Sequence, residues 1–283
     1  MAEGQILEGV ARLCDADHNL EVALGPYTGI IPRKEAALGI AEGATREIAI
    51  LSRVGKPVCF LVEGLDEAEG GLRLRLSRRA AQQKALDWML ASLHPGHVIP
   101  AVVSHLEPFG AFVDIGCGVT SLIGIENISV SRIPHPGERF TVDQTINAVV
   151  LDLDPALKRI YLTHKELLGT WAENAAQFSP GMTVSGVVRG VKEYGAFVEL
   201  TPNLSGLAER REGLQEGDRV SAYIKTMLPD RMKIKLLVIE RLNNLTAPSE
   251  PLHYFITEGC LEHWRYAPPG CTKSGYETIF APS

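Results

Sequence analysis

The sequence predicts a mainly β protein made of three tandem five-stranded barrels, joined by short helices and followed by a small C-terminal extension. A threefold repeat is the first observation behind this prediction. Similar openings begin at Gly4, Gly96 and Gly181 (GQILEGVARL, GHVIPAVVSH and GMTVSGVVRG), with spacings of 92 and 85 residues. These spacings are too long for a solenoid unit and suit a small domain. Alternating, β-branched segments follow each opening, and an amphipathic stretch closes the first copy.

Copies two and three contain nearly identical blocks, LEPFGAFVDIG at 106–116 and KEYGAFVELTP at 192–202. Both blocks are rich in aromatic and β-branched residues, and Gly110 and Gly195 stand where a strand bends or bulges, so each block predicts a strand. The remaining strands of these copies are predicted at TSLIGIENI, TINAVVLDLD, KRIYLTH, SGLAE, RVSAYIKTML and KIKLLVIE. Five short strands with a glycine-marked bend are typical of the five-stranded OB barrel.

Copy one keeps the frame of the repeat without its aromatic block. Its strands are predicted at ILEGVARL, NLEVALG, TGIIP, KPVCFLVEGLD and LRLRLS. Asn19 and Glu21 stand where the other copies carry aromatic and glycine-rich sequence. The first barrel should therefore have the same core as the other two barrels and lack their aromatic surface.

Two helical connectors are expected between the copies. SRRAAQQKALDWMLASL, from Ser77, places Trp88 on an apolar face, and the second connector opens with Thr163 and Glu166 at capping-box spacing before Trp171. Both tryptophans are interpreted as core anchors rather than as base-stacking groups. The predicted segments are 1–80, 81–94, 95–165, 166–178, 179–242 and 243–283.

Composition narrows the function classes. The net charge of -6 argues against indiscriminate coating of nucleic acid, because non-specific affinity comes mostly from neutralisation of phosphates by Lys and Arg. Five scattered cysteines fit a reducing compartment with free thiols. The sequence has no apolar run long enough to cross a bilayer and no secretory start, so we expect no membrane contact and a cytoplasmic location.

The repeated block offers a candidate binding surface. A bulge at Gly110 would bring Phe109 and Phe112 to one solvent face, and in copy three the same reasoning applies to Tyr194 and Phe197. Two exposed rings on one barrel wall form a stacking platform for bases. The alternative is that these rings belong to the core, which their absence from copy one makes less attractive.

Basic residues accompany the rings. Lys158 and Arg159 open the last strand of copy two, and Lys233 and Lys235 occupy the equivalent stretch of copy three, where they could contact phosphates or be solvated surface charges. Residues 170–241 contain 10 basic and 9 acidic side chains, against 5 and 8 for residues 96–168, so copy three repels a polyanion less.

The insert SVSRIPHPGERF at 129–140 contains Arg132, His135 and Arg139 between two prolines and a glycine. Such a stiff polar loop could line the rim of an RNA groove, or it could cap the barrel.

These residues resemble those of the S1 RNA-binding domain family, named after the first protein of the small ribosomal subunit. FGAFVDIG and YGAFVELT are similar to its signature strand, and DPALKRIYLTHK at 154–165 is similar to its closing strand. Copy one, with GIIPRKE and LSRRAAQQKALDW, looks like the altered first repeat of short bacterial S1-like proteins. The resemblance covers most of the chain.

The resemblance implies an OB-fold array that holds single-stranded RNA, such as mRNA, during translation without cleaving it. It assigns the RNA face to both ring pairs, to Asp154 with Arg159 and to Asp230 with Lys233. A family histidine on the third strand is missing: Gly124 replaces it in copy two and Ala208 in copy three. Residues 1–80 look suited to contact the small ribosomal subunit.

No catalytic, phosphate-binding or zinc motif is recognisable, so the sequence predicts neither an enzyme nor a cofactor. The aromatic tail from 243 should fold back, in a hairpin or otherwise. Cys260, His263, Cys271 and His253 are conceivable zinc ligands, but they lack a paired CxxC, and packing is the preferred interpretation. The competing hypothesis to RNA binding is a protein-interaction scaffold with the rings as a hydrophobic patch.

Overall fold

The computed structural model describes residues 4–68, 71–242, 252–271 and 276–280. Within these residues it contains three closed five-stranded barrels and a two-stranded sheet, which confirms the predicted fold class. No helix in the described part of the chain is long and apolar enough to span a bilayer. The chain divides into two compact units: residues 1–92 with 114–120, and residues 93–113 with 121–283.

Barrel one lies in the first unit, and its strands pair in the order β1-β2-β3-β5-β4. The alternation seen in the sequence places Leu20, Val22, Phe60 and Leu76 inside, each at most 2% exposed. The elements are β1 (Leu7–Cys14), β2 (Leu20–Leu24), β3 (Tyr27–Ile31), α1 (Ile48–Leu51), β4 (Pro57–Ala68) and β5 (Gly71–Ser77).

The predicted connector is α2 (Arg78–Ser92). Its inward face includes Ala81, Ala85 and Met89, whereas Trp88 is 64% exposed, so the interpretation of Trp88 as a core anchor is wrong. At about 100° per residue, Trp88 falls about 20° beyond Ala81, at the margin of the buried arc. A periodicity argument cannot resolve a residue at that margin.

Barrel two has the same topology, with strand order β10-β8-β7-β6-β9. The predicted strand TINAVVLDLD is β9, and KRIYLTH contains β10. The strands are β6 (Val98–Glu107), β7 (Gly110–Asp114), β8 (Thr120–Gly124), β9 (Thr145–Asp154) and β10 (Arg159–Thr163).

The second connector contains a 3-10 turn at Lys165–Leu168 and the short helix α3 (Trp171–Ala175). The capping box is formed by Thr170 and Glu173 rather than by Thr163 and Glu166. Thr163 instead donates its buried hydroxyl hydrogen bond to Glu166, 2.6 Å away. Trp171 is 3% exposed, as predicted for a core anchor.

Barrel three repeats the order, β11-β12-β13-β15-β14. Its strands are β11 (Thr183–Lys192), β12 (Gly195–Thr201), β13 (Leu204–Ala208), β14 (Arg219–Leu228) and β15 (Lys233–Arg241). Its buried core is continuous with Val149 of barrel two and with Trp171.

The tail folds back on this core, as expected. Strands β16 (His263–Arg265) and β17 (Glu277–Ile279) form an antiparallel pair. Trp264, Tyr266 and Phe280 are buried in the same apolar cluster as the residues of barrel three. The predicted extension also includes residues 243–251, 272–275 and 281–283, which lie outside the described residues.

A buried asparagine joins barrels two and three. The Asn203 side chain is fully buried; its Oδ1 accepts from the Val130 amide at 2.9 Å, and its Nδ2 donates to the Lys165 and Gly169 carbonyls at 2.8 Å. Such a satisfied network in a dry interior fixes the relative positions of the segments that it joins.

His164 is a buried, neutral side chain in the same region. Nδ1 lies 2.8 Å from the Ile128 carbonyl and therefore carries the proton that is donated, while Nε2 accepts from the Tyr254 hydroxyl at 3.0 Å. Burial lowers the pKa of His164 to about 4, and the positive charge of Arg139 acts in the same direction.

We expect acid to destabilise the protein through His164. The unfolded chain binds a proton below pH 6.5 and the folded chain only below about 4, so the free energy of unfolding falls as the pH drops through that window. The slope approaches ~1.4 kcal/mol per pH unit. Urea unfolding between pH 7 and 5 should show this loss in the wild type and not in His164→Gln. The exposed His105→Gln is the control, and parallel profiles for wild type and His164→Gln would contradict the assignment.

Candidate nucleic-acid interface

Two exposed aromatic pairs occupy equivalent places on barrels two and three. Phe109 and Phe112 have ring centroids 5.9 Å apart with planes at 89°; Tyr194 and Phe197 are 6.2 Å apart, also at 89°. Phe109 is 56% exposed and Tyr194 67%. Each pair thus presents one more exposed ring from the hairpin turn and one less exposed ring from the following strand.

The position of the first ring depends on a tight backbone approach. A Cβ at Gly110 would lie 2.4 Å from the carbonyl oxygen of Ile123, and one at Gly195 would lie 2.3 Å from that of Ala208. Only glycine permits the beginning of β7 or β12 to pass so close to its neighbour. Gly195 also has φ +151°, which side-chain-bearing residues rarely adopt.

The predicted bulge at Gly195 is wrong. Gly195 pairs regularly with Lys192, and Phe197 pairs with Gly190. The irregularity in the register of β11 and β12 lies in β11, just before Gly190. Tyr194 lies in the turn that precedes β12, so strand alternation does not govern the direction of its ring. The ring pairs share a face because one member comes from the hairpin turn.

In barrel three the register continues this surface across four strands. Phe197 pairs with Leu207, Leu207 with Lys235, and Lys235 with Thr226. All four side chains are exposed. The pairing of β14 shifts between Ile224 and Thr226, so Lys225 is an extra residue and points outward as well.

A groove lies beside this row. Its volume is about 430 Å³, within the usual range for small-molecule sites. It is lined by Tyr194, Leu207, Ala208, Glu209, Lys225, Thr226, Lys235 and Leu236. Lys225 Nζ lies 2.7 Å from Glu209 Oε1. The groove therefore combines aromatic and apolar side chains with two lysines and one carboxylate, and its ring and lysines suit a nucleotide with its phosphate.

The equivalent row of barrel two is more aromatic and less basic. Leu122 pairs with Tyr161, which pairs with Asp152, so Tyr161 stands where barrel three has Lys235 and Asp152 where it has Thr226. His105 lies against Phe112, with centroids 6.4 Å apart and planes at 27°, and its Nε2 is 2.7 Å from Glu107 Oε1. This face offers rings with little positive charge.

The residues predicted at the turn before the last strand do not occupy equivalent positions in barrels two and three. Arg159 pairs with Asp154, whereas Lys233 pairs with Leu228. Arg159 and Lys233 are therefore equivalent, but Leu228 rather than Asp230 corresponds to Asp154, which corrects the alignment of the two turns. Asp154 Oδ1 accepts from the Leu157 amide at 2.8 Å within the turn. The basic side chains are exposed, including Lys158, which has φ +52°.

The third strands are also aligned by the register. Ile123 pairs with Leu162, and Ala208 pairs with Leu236. Both leucines are buried residues of the last strand of their barrel. The residue that corresponds to Gly124 is consequently Glu209, and the placement of Ala208 at the missing family histidine is one residue too early.

The insert of barrel two packs against barrel three. Arg139 is buried, and its Nη2 lies 2.6 Å from Oε2 of Glu199. The Ser131 and Ser205 hydroxyl oxygens are 2.9 Å apart. His135 accepts from the Gly137 amide through Nδ1 at 3.0 Å and caps the 3-10 turn Pro136–Glu138. Arg132 is exposed. The loop thus serves inter-barrel packing, and Arg132 keeps an accessible charge.

Sequence reasoning missed several members of this surface, namely His105, Tyr161, Leu207, Glu209, Lys225 and Thr226. Tyr161 and Leu207 join this surface through the parallel pairing of β8 with β10 and of β13 with β15, strands that are not neighbours in sequence. In the sequence, only the alternation of Lys233 and Lys235 with apolar residues indicated which side chains of this strand face outward.

The four conceivable zinc ligands do not converge. His263 pairs with Glu277, His253 lies against Phe255, Cys260 is exposed and Cys271 is buried. Among the described residues there is no group of three or more side chains arranged to hold a metal ion.

Comparison with known proteins finds a matching domain family and several similar proteins. The S1 RNA binding domain family matches residues 92–165. Small ribosomal subunit protein bS1 of Leuconostoc lactis is 35% identical over 180 residues, covering 58% of this chain and 42% of that protein. Its counterpart in Chlamydia muridarum is 31% identical over 201 residues, covering 66% and 35%.

Small ribosomal subunit protein bS1 of Staphylococcus aureus is 35% identical over 206 residues, covering 62% of this chain and 52% of that protein. The chain therefore spans between about a third and a half of these relatives. The chain is thus similar to the S1 RNA binding domain family over residues 92–165 and to several bS1 proteins over 180 to 206 residues.

Proposed function

We propose that the protein binds single-stranded RNA, such as mRNA, on the outward faces of barrels two and three and catalyses no reaction on it. The observation that carries this proposal is the same edge-to-face ring pair, exposed at the same hairpin turn of both barrels. Bases can stack on such rings whatever their identity, with about 1 to 3 kcal/mol per base.

Basic residues beside the rings supply the phosphate contacts. Lys225 and Lys235 line the groove of barrel three, and Arg159 and Lys233 open the closing strands of the two barrels. Barrel three is the stronger site, because Lys235 stands where barrel two has Tyr161. With few cations and an acidic chain overall, stacking provides most of the affinity.

Titration of a labelled single-stranded RNA at several salt concentrations tests this function. We expect binding with a slope of log affinity against log salt of about -1 to -3, because one to four phosphates are contacted. A double-stranded RNA of equal length should bind more weakly, since its bases are not free to stack. Absence of binding at low salt, or equal binding of both RNAs, would contradict the proposal.

We place this activity in translation in the cytoplasm, with residues 1–80 attached to the small ribosomal subunit. The relatives named above are small-subunit ribosomal proteins. Ile48, Leu51 and Val54 of barrel one are 63%, 44% and 42% exposed, an apolar cluster of the kind that contacts proteins. The same titration with small subunits in place of RNA checks this placement. Subunit binding without RNA binding would favour the scaffold hypothesis.

A further inference from the structure

Glu209 occupies a distinctive position in the groove of barrel three. It follows the last residue of β13, at the place where barrel two has Gly124. Its side chain is 70% exposed and pairs with Lys225, and the same groove is bordered by the Tyr194 ring. The pair is therefore accessible to the edge of a base that stacks on Tyr194.

The Glu209 side chain is a hydrogen-bond acceptor at neutral pH. The hydrogen bond from Lys225 holds the pKa of Glu209 below its ordinary value, so the group remains a carboxylate. A carboxylate repels the phosphates of RNA and accepts hydrogen bonds through both of its oxygens. Its contribution to binding RNA must come from hydrogen-bond donors, which are the N–H groups of bases and the ribose 2′-hydroxyl, and only the base N–H groups differ between nucleotides.

We propose that Glu209 and Lys225 make barrel three selective for guanine at the nucleotide stacked on Tyr194. This inference rests on the proposed RNA binding. Guanine is the base whose Watson–Crick edge presents two adjacent N–H donors, N1 and N2, beside the acceptor O6. The Lys225 ammonium donates and the Glu209 carboxylate accepts twice, which is the complement of that edge.

The other bases fit this pair less well. Uracil places carbonyl oxygens on both sides of its single N–H, and these repel a carboxylate. Adenine and cytosine present one amino group beside a ring nitrogen that is itself an acceptor. Single-stranded bases are read on this edge while their faces stack on aromatic side chains, so both contacts can form together. Barrel two, with Gly124 at the equivalent position, stacks bases without this selection.

The test compares two labelled oligonucleotides, a short oligouridine and the same oligonucleotide with one central guanine. The full chain is used with Phe109→Ala and Phe112→Ala, so that barrel three dominates binding. We expect a preference for the guanine oligonucleotide of about tenfold, as for charge-assisted hydrogen bonds at an accessible site. Glu209→Gln should reduce this preference to less than about twofold and leave oligouridine binding equal or tighter, because a repulsive charge is removed.

Glu212→Gln is the matched control, because it makes the same charge change at an exposed residue of the same loop that does not line the groove. It should leave the preference unchanged. Equal affinity of the parent chain for both oligonucleotides, or an undiminished preference in Glu209→Gln, would overturn the inference while RNA binding stands. Failure of the wild-type chain to bind either oligonucleotide would overturn RNA binding and this selectivity with it.

Discussion

Replacing Phe109, Phe112, Tyr194 and Phe197 together by alanine should weaken single-stranded RNA binding by about 3 kcal/mol or more. Each base stacked on a ring contributes about 1 to 3 kcal/mol, and the two rings of a pair share contacts, so their contributions are not simply additive. The loss corresponds to about 100-fold or more in affinity. Fluorescence polarisation at constant salt measures it directly.

Two controls separate stacking from other causes. Tyr27→Ala removes a 57% exposed ring from barrel one and should leave RNA affinity unchanged. The four-ring variant should keep the wild-type slope of log affinity against log salt, because no phosphate contact is lost. Lys235→Ala should make this slope less steep by about 0.7, because it removes one phosphate contact. Unchanged affinity of the four-ring variant, with its fold intact by circular dichroism, would mean that RNA does not stack on these rings.

Glu199→Ala should lower the free energy of unfolding by about 3 to 5 kcal/mol. Glu199 Oε2 accepts from Arg139 at 2.6 Å and from Arg189 at 2.8 Å, and the three side chains are 7%, 5% and 9% exposed. Removing the carboxylate leaves Arg139 without its partner and Arg189 with Glu138 alone. Buried charge without compensation costs far more than an exposed ion pair contributes.

Urea unfolding, followed by tryptophan fluorescence, measures this loss. Asp66→Ala breaks the exposed pair with Arg75 and should change stability by less than about 1 kcal/mol. A triple variant, Glu199→Leu with Arg139→Met and Arg189→Met, should regain most of the lost stability, because no charge remains buried. Equal effects of Glu199→Ala and Asp66→Ala would show that burial does not determine the effect.

The fold could be predicted from the sequence because each repeat encodes its strands locally. Alternation of apolar and polar residues placed strands such as β5, β9 and β14, and the threefold repeat aligned the strands of one copy with those of the next. The tail was expected to fold back because it is too aromatic for a linker. These inferences depend on side-chain patterns of only a few residues.

The surface was harder to predict, because it depends on register. The ring pairs could be found in the repeat, but Gly110 and Gly195 serve close backbone approach, and a pattern of residues does not distinguish that from a bulge. Lys225 points outward because β14 shifts there, and Glu209 takes the place of Gly124 because β13 pairs with β15. Such long-range pairing is not encoded in the local sequence.

The apolar cluster shared by barrel two, barrel three and the tail affects how the chain folds while it is being synthesised. Val149, Leu236 and Phe280 belong to one core, although they are far apart in sequence. During synthesis, barrel three is made before Trp264 and Phe280, the tail residues that cover it. Until these residues emerge, the nascent chain presents an uncovered apolar face, so the tail completes the folding of the two barrels proposed to hold RNA.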